Sequence, residues 1–196
     1  IISPPAVDDK FRKIIGENND EGIKRKNKVI CCGTVHVYQD AFPGSVECDG
    51  IFTMHPSRYN ILRVESDIVD KNFSVVGDND SLYSSQRSYM NTDLTAVYNM
   101  YRYAFIGSES TGVVALGVFE AMSCGCEVFI EESVGVRLGL EDGITAWFFD
   151  GTYESMKLRF QDIQNSGATL NHREVKCIVN ERRNEALSTS LFAKLS

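Results

Sequence analysis

The sequence predicts an α/β fold with a Rossmann-like, doubly wound parallel sheet and two closing C-terminal helices. Several short apolar runs end in glycine or small polar residues, a pattern typical of strands that are buried on both faces. Segments with helical spacing separate most of these runs, and that alternation predicts a parallel sheet with helices on both faces. With 196 residues, 43% of them hydrophobic, the chain can bury one core.

The first half of the chain holds two clear strand signals. KVICCG (residues 28–33) is the first predicted strand, and NFSVVG (72–77) is the next. Between them, DGIFTM (49–54) fits either a strand or a loop, while RYNILRVESDIV (58–69) has apolar residues at roughly helical spacing and predicts a helix. Further on, DLTAVYNMY (93–101) predicts a helix whose first aspartate is the N-cap.

The second half continues the alternation of strand and helix. A strand, a helix, two further strands and two amphipathic helices are predicted in turn at residues 103–108, 113–123, 126–130, 143–150, 153–165 and 171–195. The residues between predicted elements are assigned to loops, and these include His36 and His55.

Charge and hydropathy argue against two classes of function. The formal net charge is −7, whereas a nucleic-acid-binding surface needs a dense basic stripe. No apolar stretch approaches the ~20 residues of a membrane-spanning helix and no signal peptide is visible, so we expect a cytoplasmic protein. The start, IISPPAVDDKF, lacks an initiator methionine and looks like a cut at a domain boundary of a longer protein.

The cysteine spacing predicts neither a disulfide scaffold nor a metal site. Cys31 and Cys32 are adjacent in an apolar run, and Cys124 and Cys126 flank one glycine, whereas zinc sites typically use a two-residue gap. We therefore expect small buried thiols in a reducing compartment, and no metal ligands are predicted.

Ligands of doubly wound sheets bind beyond the carboxyl ends of the strands, near a reversal of strand order. The predicted strand ends carry glycine or small hydroxyl residues, at Gly33-Thr34, Gly77-Asp78, 107–112 and 130–136. Such residues let the backbone approach a ligand closely, although glycine is also common at these turns for geometric reasons. The pattern favours a nucleotide or another phosphate-bearing ligand.

Several segments, taken in order, carry a resemblance. IISPPAVDDKF looks like an inter-domain linker, KVICCGTV like a first strand with its glycine turn, and NFSVVGDND like a strand ending in Gly-Asp-Gly. The more specific element is EAMSCG, within YRYAFIGSES…GVFEAMSCGCEVFI, and LEDGITAWFFDGT follows it. Together they resemble the C-terminal, sugar-nucleotide-binding domain of GT-B glycosyltransferases, especially the large retaining family.

The resemblance implies a sugar-nucleotide-binding domain at residues 28–196 and a linker-like segment and loop at residues 1–27. It implies a glycosyltransferase that takes a UDP- or GDP-sugar donor and moves the sugar to a hydroxyl of a glycan or glycoprotein acceptor, with no required cofactor. An N-terminal acceptor domain would belong to the rest of such a protein.

The resemblance also assigns residues to the substrate. Glu120 matches the glutamate that binds the ribose, and Ser108 and Glu109 lie at the strand end where the sugar or acceptor would sit. Four residues at the start of the same helix would present their amides to the diphosphate: Thr111, Gly112, Val113 and Val114.

The sequence departs from the family pattern at its charged positions. Gly112 replaces the second glutamate of the retaining members, Thr34 replaces the arginine after the first glycine turn, and Glu127 replaces a proline. Five arginines are candidates to neutralise the diphosphate, the first two of them assigned to the substrate site: Arg58, Arg63, Arg87, Arg102 and Arg137.

Glu109 and His36 are the predicted catalytic residues. Glu109 is the acid nearest to the missing glutamate, and a loop histidine with a pKa near ~6.5 suits a general base for the acceptor hydroxyl. YRYAFIGSES is also similar to strand ends of inverting exostosin-like and fucosyltransferase-like families, so the stereochemical outcome stays open.

Two other interpretations stay open. The missing acid and cations fit a non-catalytic nucleotide-binding or protein-interaction module of the same fold. An unrelated doubly wound protein, such as a phosphotransfer receiver domain, would need an acidic cluster after the first strand, and VICCGTV contains none.

Overall fold

The computed structural model describes residues 24–78, 93–112 and 117–195, with side chains as far as residue 184. Its strands are β1 (Lys26–Val37), β2 (Val46–Cys48), β3 (Ile51–Thr53), β4 (Val69–Gly77), β5 (Tyr101–Ile106), β6 (Glu127–Glu131) and β7 (Trp147–Phe149). Its helices are α1 (Pro56–Arg63), α2 (Leu94–Met100), α3 (Gly117–Ser123), α4 (Glu132–Arg137), α5 (Tyr153–Ser166) and α6 (His172–Leu195). Most of the predicted linker lies outside the described residues, and β1 already begins at Lys26.

Five strands form one parallel sheet in the order β4-β1-β5-β6-β7. In β5, Tyr103 packs edge-on against Phe160 of α5, whereas Ile106 lies beside Gly117 of α3 and Tyr98 of α2. Odd and even positions of a strand point to opposite faces, so helices cover both faces of the sheet. The predicted Rossmann-like parallel α/β fold is confirmed at this level.

The ambiguous segment at residues 49–54 is half of a small hairpin. β2 and β3 pair antiparallel, apart from the main sheet, and the two-residue turn between them is Asp49-Gly50. Both turn residues have positive φ, 51° and 78°, as a tight Asp-Gly hairpin turn requires.

The end of the first strand was predicted wrongly. β1 does not stop at Gly33 but continues to Val37, paired with β4 throughout, so Thr34 and His36 lie in a strand and not in a turn. Val35 and Val37 continue the buried positions beyond the glycine and keep the register with β4 up to Gly77. Gly33 holds a φ of +140°, which a residue without a side chain adopts without strain.

The helix predicted at residues 58–69 is shifted toward the N-terminus. α1 begins at Pro56, a residue suited to the first turn of a helix, and ends at Arg63. Val69 instead begins β4 and pairs with Val29. The apolar residues at 68 and 69 fit helical spacing by coincidence, because the polar stretch at 65–67 separates two different elements. The predicted α2 is confirmed, with Asp93 accepting hydrogen bonds from the amides of Thr95 and Ala96.

Among the helices of the described residues, none combines the length and the apolar character that crossing a membrane requires. All six thiols are free, and those of Cys31, Cys32, Cys124 and Cys126 are buried as expected. Burial raises the pKa of Cys32 to about 12, so that thiol stays protonated and packs as a small apolar group.

Candidate functional site

The candidate site lies where the order of the strands reverses. From β1, the chain adds β4 on one side and then β5 on the other, so the switch point lies between β1 and β5. The last β1–β5 pair is Cys31 with Phe105, whereas β1 pairs with β4 as far as Val37. The carboxyl end of β1 therefore extends past β5 and leaves a step at this edge of the sheet.

Arg58 fills that step. Its Nη1 donates a hydrogen bond of 3.0 Å to the carbonyl of Thr34, and its Nη2 donates one of 2.9 Å to the carbonyl of Gly107. A Cβ built on Gly33 or Gly107 would lie 3.1 Å or 2.9 Å from atoms of the Arg58 side chain. Gly33 and Thr34 thus contact an internal arginine, and their assignment to the ligand stays a prediction. Arg58, at 8% exposure, bridges two strand ends.

Two histidines meet above Arg58. Nδ1 of His36, near the end of β1, lies 3.4 Å from Nδ1 of His55, the residue that precedes α1. On the other edge of the His55 ring, Nε2 lies 3.9 Å from Oε1 of Glu109, which follows β5. The structure thus brings the two predicted catalytic residues together, with His55 between them.

Both imidazoles are neutral at neutral pH. Burial, the Arg58 charge and the neighbouring His36 lower the pKa of His55 to about 3, and His55 is 4% exposed. Burial lowers the pKa of the half-buried His36 as well, with Arg58 adding to the shift and the Glu109 carboxylate opposing it. A neutral imidazole has one lone pair with which to accept a proton.

Glu131, the last residue of β6, is a site residue that the sequence did not single out. Its Oε1 accepts hydrogen bonds from Ser57 Oγ at 2.7 Å, from the Ser108 amide at 3.2 Å and from Ser108 Oγ at 3.0 Å. This carboxylate ties α1 and the β5 loop to β6. Ser108 is therefore a buried anchor of the site. The available signal was position, because Glu131 directly follows an apolar strand run.

The loop after β5 forms one wall of the site. Thr111 Oγ1 donates a 3.3 Å hydrogen bond to Glu109 Oε2, and the Ser110 amide donates one of 2.7 Å to the Met54 carbonyl. Gly112 has a φ of +79°, and a Cβ there would lie 3.0 Å from Nη1 of Arg137. Arg137, an exposed residue at the end of α4, is the arginine that borders the predicted diphosphate loop.

Gly77 and Asp78, predicted at a ligand-binding strand end, make contacts that hold β1 and β4 together. A Cβ on Gly77 would lie 1.6 Å from the carbonyl oxygen of Val37, so this glycine is required by strand packing. Asp78 accepts the amide hydrogen of Gln39 at 3.0 Å and closes the end of β1. It is also the first residue of an Asp-Asn-Asp tripeptide, the spacing of an Asp-x-Asp metal motif, whose other two residues lie outside the described residues.

Two of the candidate arginines lie away from the switch point. Arg63 is at the far end of α1, where it pairs with Asp49 of the hairpin turn. Arg102, at the start of β5, pairs at 3.1 Å with the buried carboxylate of Glu127, whose other oxygen accepts the indole hydrogen of Trp147 at 2.9 Å. Arg63 thus contacts the hairpin turn, and its assignment to the substrate site stays a prediction.

The predicted substrate contacts of four further residues stay predictions. Glu120 is half-buried in the first described turn of α3. Arg87, Val113 and Val114 lie outside the described residues.

No group of three His, Cys, Asp or Glu side chains converges on a common point within residues 24–78, 93–112 and 117–184. His36 and Glu109 face opposite edges of the His55 ring, so these three side chains do not share one metal position. The arrangement can accept a proton at a neutral imidazole nitrogen, beside the positive charge of Arg58.

The described residues also form a cavity and an open depression away from the switch point. A cavity of about 380 Å³ is lined by residues from the end of α3, the start of β6 and α6, among them Cys126, Leu170, Lys176 and Arg183. An open depression of about 470 Å³ borders β7 and α5. Neither contains a residue of the histidine pair, and the converging chemistry at the switch point is the stronger sign of a site.

No protein-family model matches the chain, and a search of curated proteins finds no match.

Proposed function

We propose that this chain is a glycosyltransferase-type domain that binds a nucleotide-diphosphate sugar at the β1/β5 switch point. The observation that carries the proposal is the gathering of His36, His55 and Glu109 beside Arg58 at that edge of the sheet, with Arg137 next to Gly112 in the loop after β5. Doubly wound sheets bind nucleotides at this position. The resemblance of the EAMSCG element to GT-B enzymes supplies the substrate class.

His36 is the proposed general base. It is half-buried, so it is more accessible than His55, and its lowered pKa keeps it neutral and able to accept a proton. In the proposed step, His36 takes the proton of the acceptor hydroxyl while that oxygen bonds to the anomeric carbon. The bond from the anomeric carbon to the diphosphate oxygen breaks, and the nucleoside diphosphate leaves with the electron pair. Gly112 offers no side chain for a second carboxylate, which favours this direct displacement.

Arg137 and the amide of Thr111 are the proposed partners of the leaving group, since the Gly112 amide donates a 2.8 Å hydrogen bond to the carbonyl of Glu109. The guanidinium lies next to Gly112, where a side chain at that position would collide with it. Charge that develops on a diphosphate oxygen is stabilised by fixed donors at the point where it forms. Arg58 contributes to the potential of the site, while its two hydrogen bonds to the main chain hold it in the sheet step.

Calorimetric titration with a panel of nucleotides and UDP- or GDP-sugars tests the proposal. We expect saturable binding of a nucleotide diphosphate of one base, weakened roughly tenfold or more in Glu120→Ala because the ribose hydroxyls lose their acceptor. The matched control is Glu181→Ala, which removes an exposed acid of α6.

Failure of every nucleotide to bind the folded protein would refute the proposal. If a sugar nucleotide binds, release of nucleoside diphosphate in the presence of glycan acceptors then separates an enzyme from a module. Binding of a sugar nucleotide without turnover assigns the non-catalytic alternative.

A further inference from the structure

We propose that Glu109 and His55 together set the tautomer of His36, leaving Nε2 of His36 as the proton acceptor of the site. His55 is in this proposal a positioning residue, one that acts through its neighbour. We call this arrangement of Glu109, His55 and His36 the relay. It rests on the proposed function for the identity of the hydroxyl that His36 deprotonates. The tautomer itself is a property of the protein without substrate.

The contact between the two rings admits only two neutral arrangements. The Nδ1 atoms of His36 and His55 face each other at 3.4 Å, so one must carry a proton and the other must accept it. If His55 donates, its own Nε2 carries a lone pair. If His36 donates, Nε2 of His55 carries the proton and Nε2 of His36 carries the lone pair.

Glu109 decides between them. Its Oε1 faces Nε2 of His55 at 3.9 Å, and its Oε2 accepts the hydroxyl hydrogen of Thr111, which holds the carboxylate in place. At 3.9 Å the pair is longer than a hydrogen bond, and the negative charge acts on the ring through its field. A lone pair on Nε2 would repel that charge, whereas an N–H dipole is attracted by it. The proton of His55 therefore lies on Nε2.

The remaining groups around the pair keep both rings neutral and in place. Arg58 is the cation that faces them, and its charge opposes protonation of either ring. Tyr38 lies nearly parallel to the His36 ring, with centroids 6.3 Å apart, and Phe42 meets that ring edge-on. A ring held in this way presents one nitrogen to the partner histidine and the other away from it.

The consequence is that both hydrogens of the histidine pair keep their direction when His36 takes up a proton. When Nε2 of His36 accepts a proton, the positive ring keeps its Nδ1–H on His55, and the Nε2–H of His55 remains directed at Glu109. The negative carboxylate of Glu109 thus stabilises the positive charge that forms on His36, with the His55 ring between them.

Long-range ¹H–¹⁵N spectra of the imidazole rings test the tautomers directly. The chain has three histidines, and His172→Gln identifies the third signal without touching the site. At pH 7 and in the absence of any ligand, we expect His36 as the Nδ1–H tautomer and His55 as the Nε2–H tautomer. A His36 in the Nε2–H form, or a protonated pattern for either ring of the pair, would overturn the proposal.

Two variants test the direction of the relay. His55→Phe keeps an aromatic ring but removes the nitrogen acceptor, so His36 should revert toward the Nε2–H form that imidazole side chains prefer in water. Glu109→Ala, at a half-buried position, removes the charge and should release the preference of His55 for Nε2–H. An unchanged His36 signal in a folded His55→Phe protein would contradict the relay, as would signals of the pair that shift on treatment with EDTA, which would reveal a bound metal.

Measurements of activity test the relay separately from the proposed substrate. If the domain transfers sugar, His55→Phe should lower kcat more than it raises KM and should move the acidic limb of the kcat profile. Wild-type tautomers as predicted, with no nucleotide binding, would retain the relay and reject the proposed substrate. Nucleotide binding with the opposite tautomer would retain the proposed substrate and reject the relay.

Discussion

Nη2 of Arg58 donates a 2.9 Å hydrogen bond to the carbonyl oxygen of Gly107, at the point where β5 leaves the sheet. The same guanidinium reaches Thr34 in β1, so one side chain closes the step between two parallel strands of unequal length. The absence of a side chain at Gly107 makes room for it. The arginine thus links the two strand ends beside the histidine pair.

Replacing Arg58 should cost much more stability than replacing Arg63. Arg58→Met keeps an unbranched apolar chain but removes the donors for two strand-end carbonyls, which we expect to lower the free energy of unfolding by about 3 kcal/mol. Arg63→Met removes an exposed ion pair, worth under about 1 kcal/mol. Urea unfolding of both variants measures the difference. Equal midpoints would mean that Arg58 does not bridge the strands.

Gly77→Ala should disrupt the junction of β1 and β4. The new Cβ would lie 1.6 Å from the Val37 carbonyl oxygen, and main chain in a paired strand cannot yield, so we expect a loss of roughly 3 kcal/mol or more. Gly167→Ala is the matched control, because that helix-capping glycine has a φ of +67° and open space around it. The control should lose only about 1 kcal/mol. Similar midpoints of thermal unfolding for the two variants would contradict the steric explanation.

Acid should destabilise the protein through His55. Folding lowers the pKa of His55 to about 3, so the unfolded chain binds a proton more readily than the folded one. The stability gained by keeping this ring neutral is complete above about pH 6.5 and is lost progressively as the pH falls toward 3. The expected slope is at most about 1.4 kcal/mol per pH unit.

The measurement is the urea midpoint of the wild type and of His55→Phe between pH 7 and pH 4. The variant should show a shallower decline, whatever its stability at pH 7, because its residue 55 does not titrate. His172→Gln, which removes an exposed histidine, should follow the wild type. Parallel curves for wild type and His55→Phe would place the acid sensitivity elsewhere.

Arg137→Gln should weaken the binding of a nucleoside diphosphate. The guanidinium next to Gly112 is the proposed partner of the diphosphate, and losing it should raise Kd roughly tenfold, about 1.4 kcal/mol. Calorimetry with UDP and GDP, and with the nucleosides as ligands lacking the diphosphate, measures this effect. Nucleoside affinity should not change. Arg173→Gln, in the exposed first turn of α6, controls for the loss of one positive charge, and an equal effect of both variants would argue for a non-specific charge effect.

Local patterns predicted much of the fold. Apolar runs marked β4, β5 and β6 to within a few residues, Asp93 marked the start of α2, and the alternation of elements predicted the parallel sheet. These features depend on side chains close together in the sequence, through backbone hydrogen bonding and capping. The segment at 58–69 failed because two elements in succession imitated a single helical period.

The candidate site was predicted in part. The sequence predicts Glu109 and His36 as catalytic residues, and the structure brings them close together, while their roles stay predictions. It also predicts a strand end at Gly33, whereas β1 continues to Val37. The end of β1 depends on how far β4 runs beside it, and no local pattern carries that information. Glu131 and His55 act through partners far away in the chain.

The sequence by itself determined the class of fold, the two-sided burial of the strands and the residue types available at the strand ends. Only the tertiary structure decided that Arg58 lies inside the sheet edge, that Arg63 lies away from it, and that His55 stands between His36 and Glu109. The physical reason is register. Parallel strands of unequal length create a step whose position and occupant follow from long-range pairing, and that step brings together side chains from four separate segments.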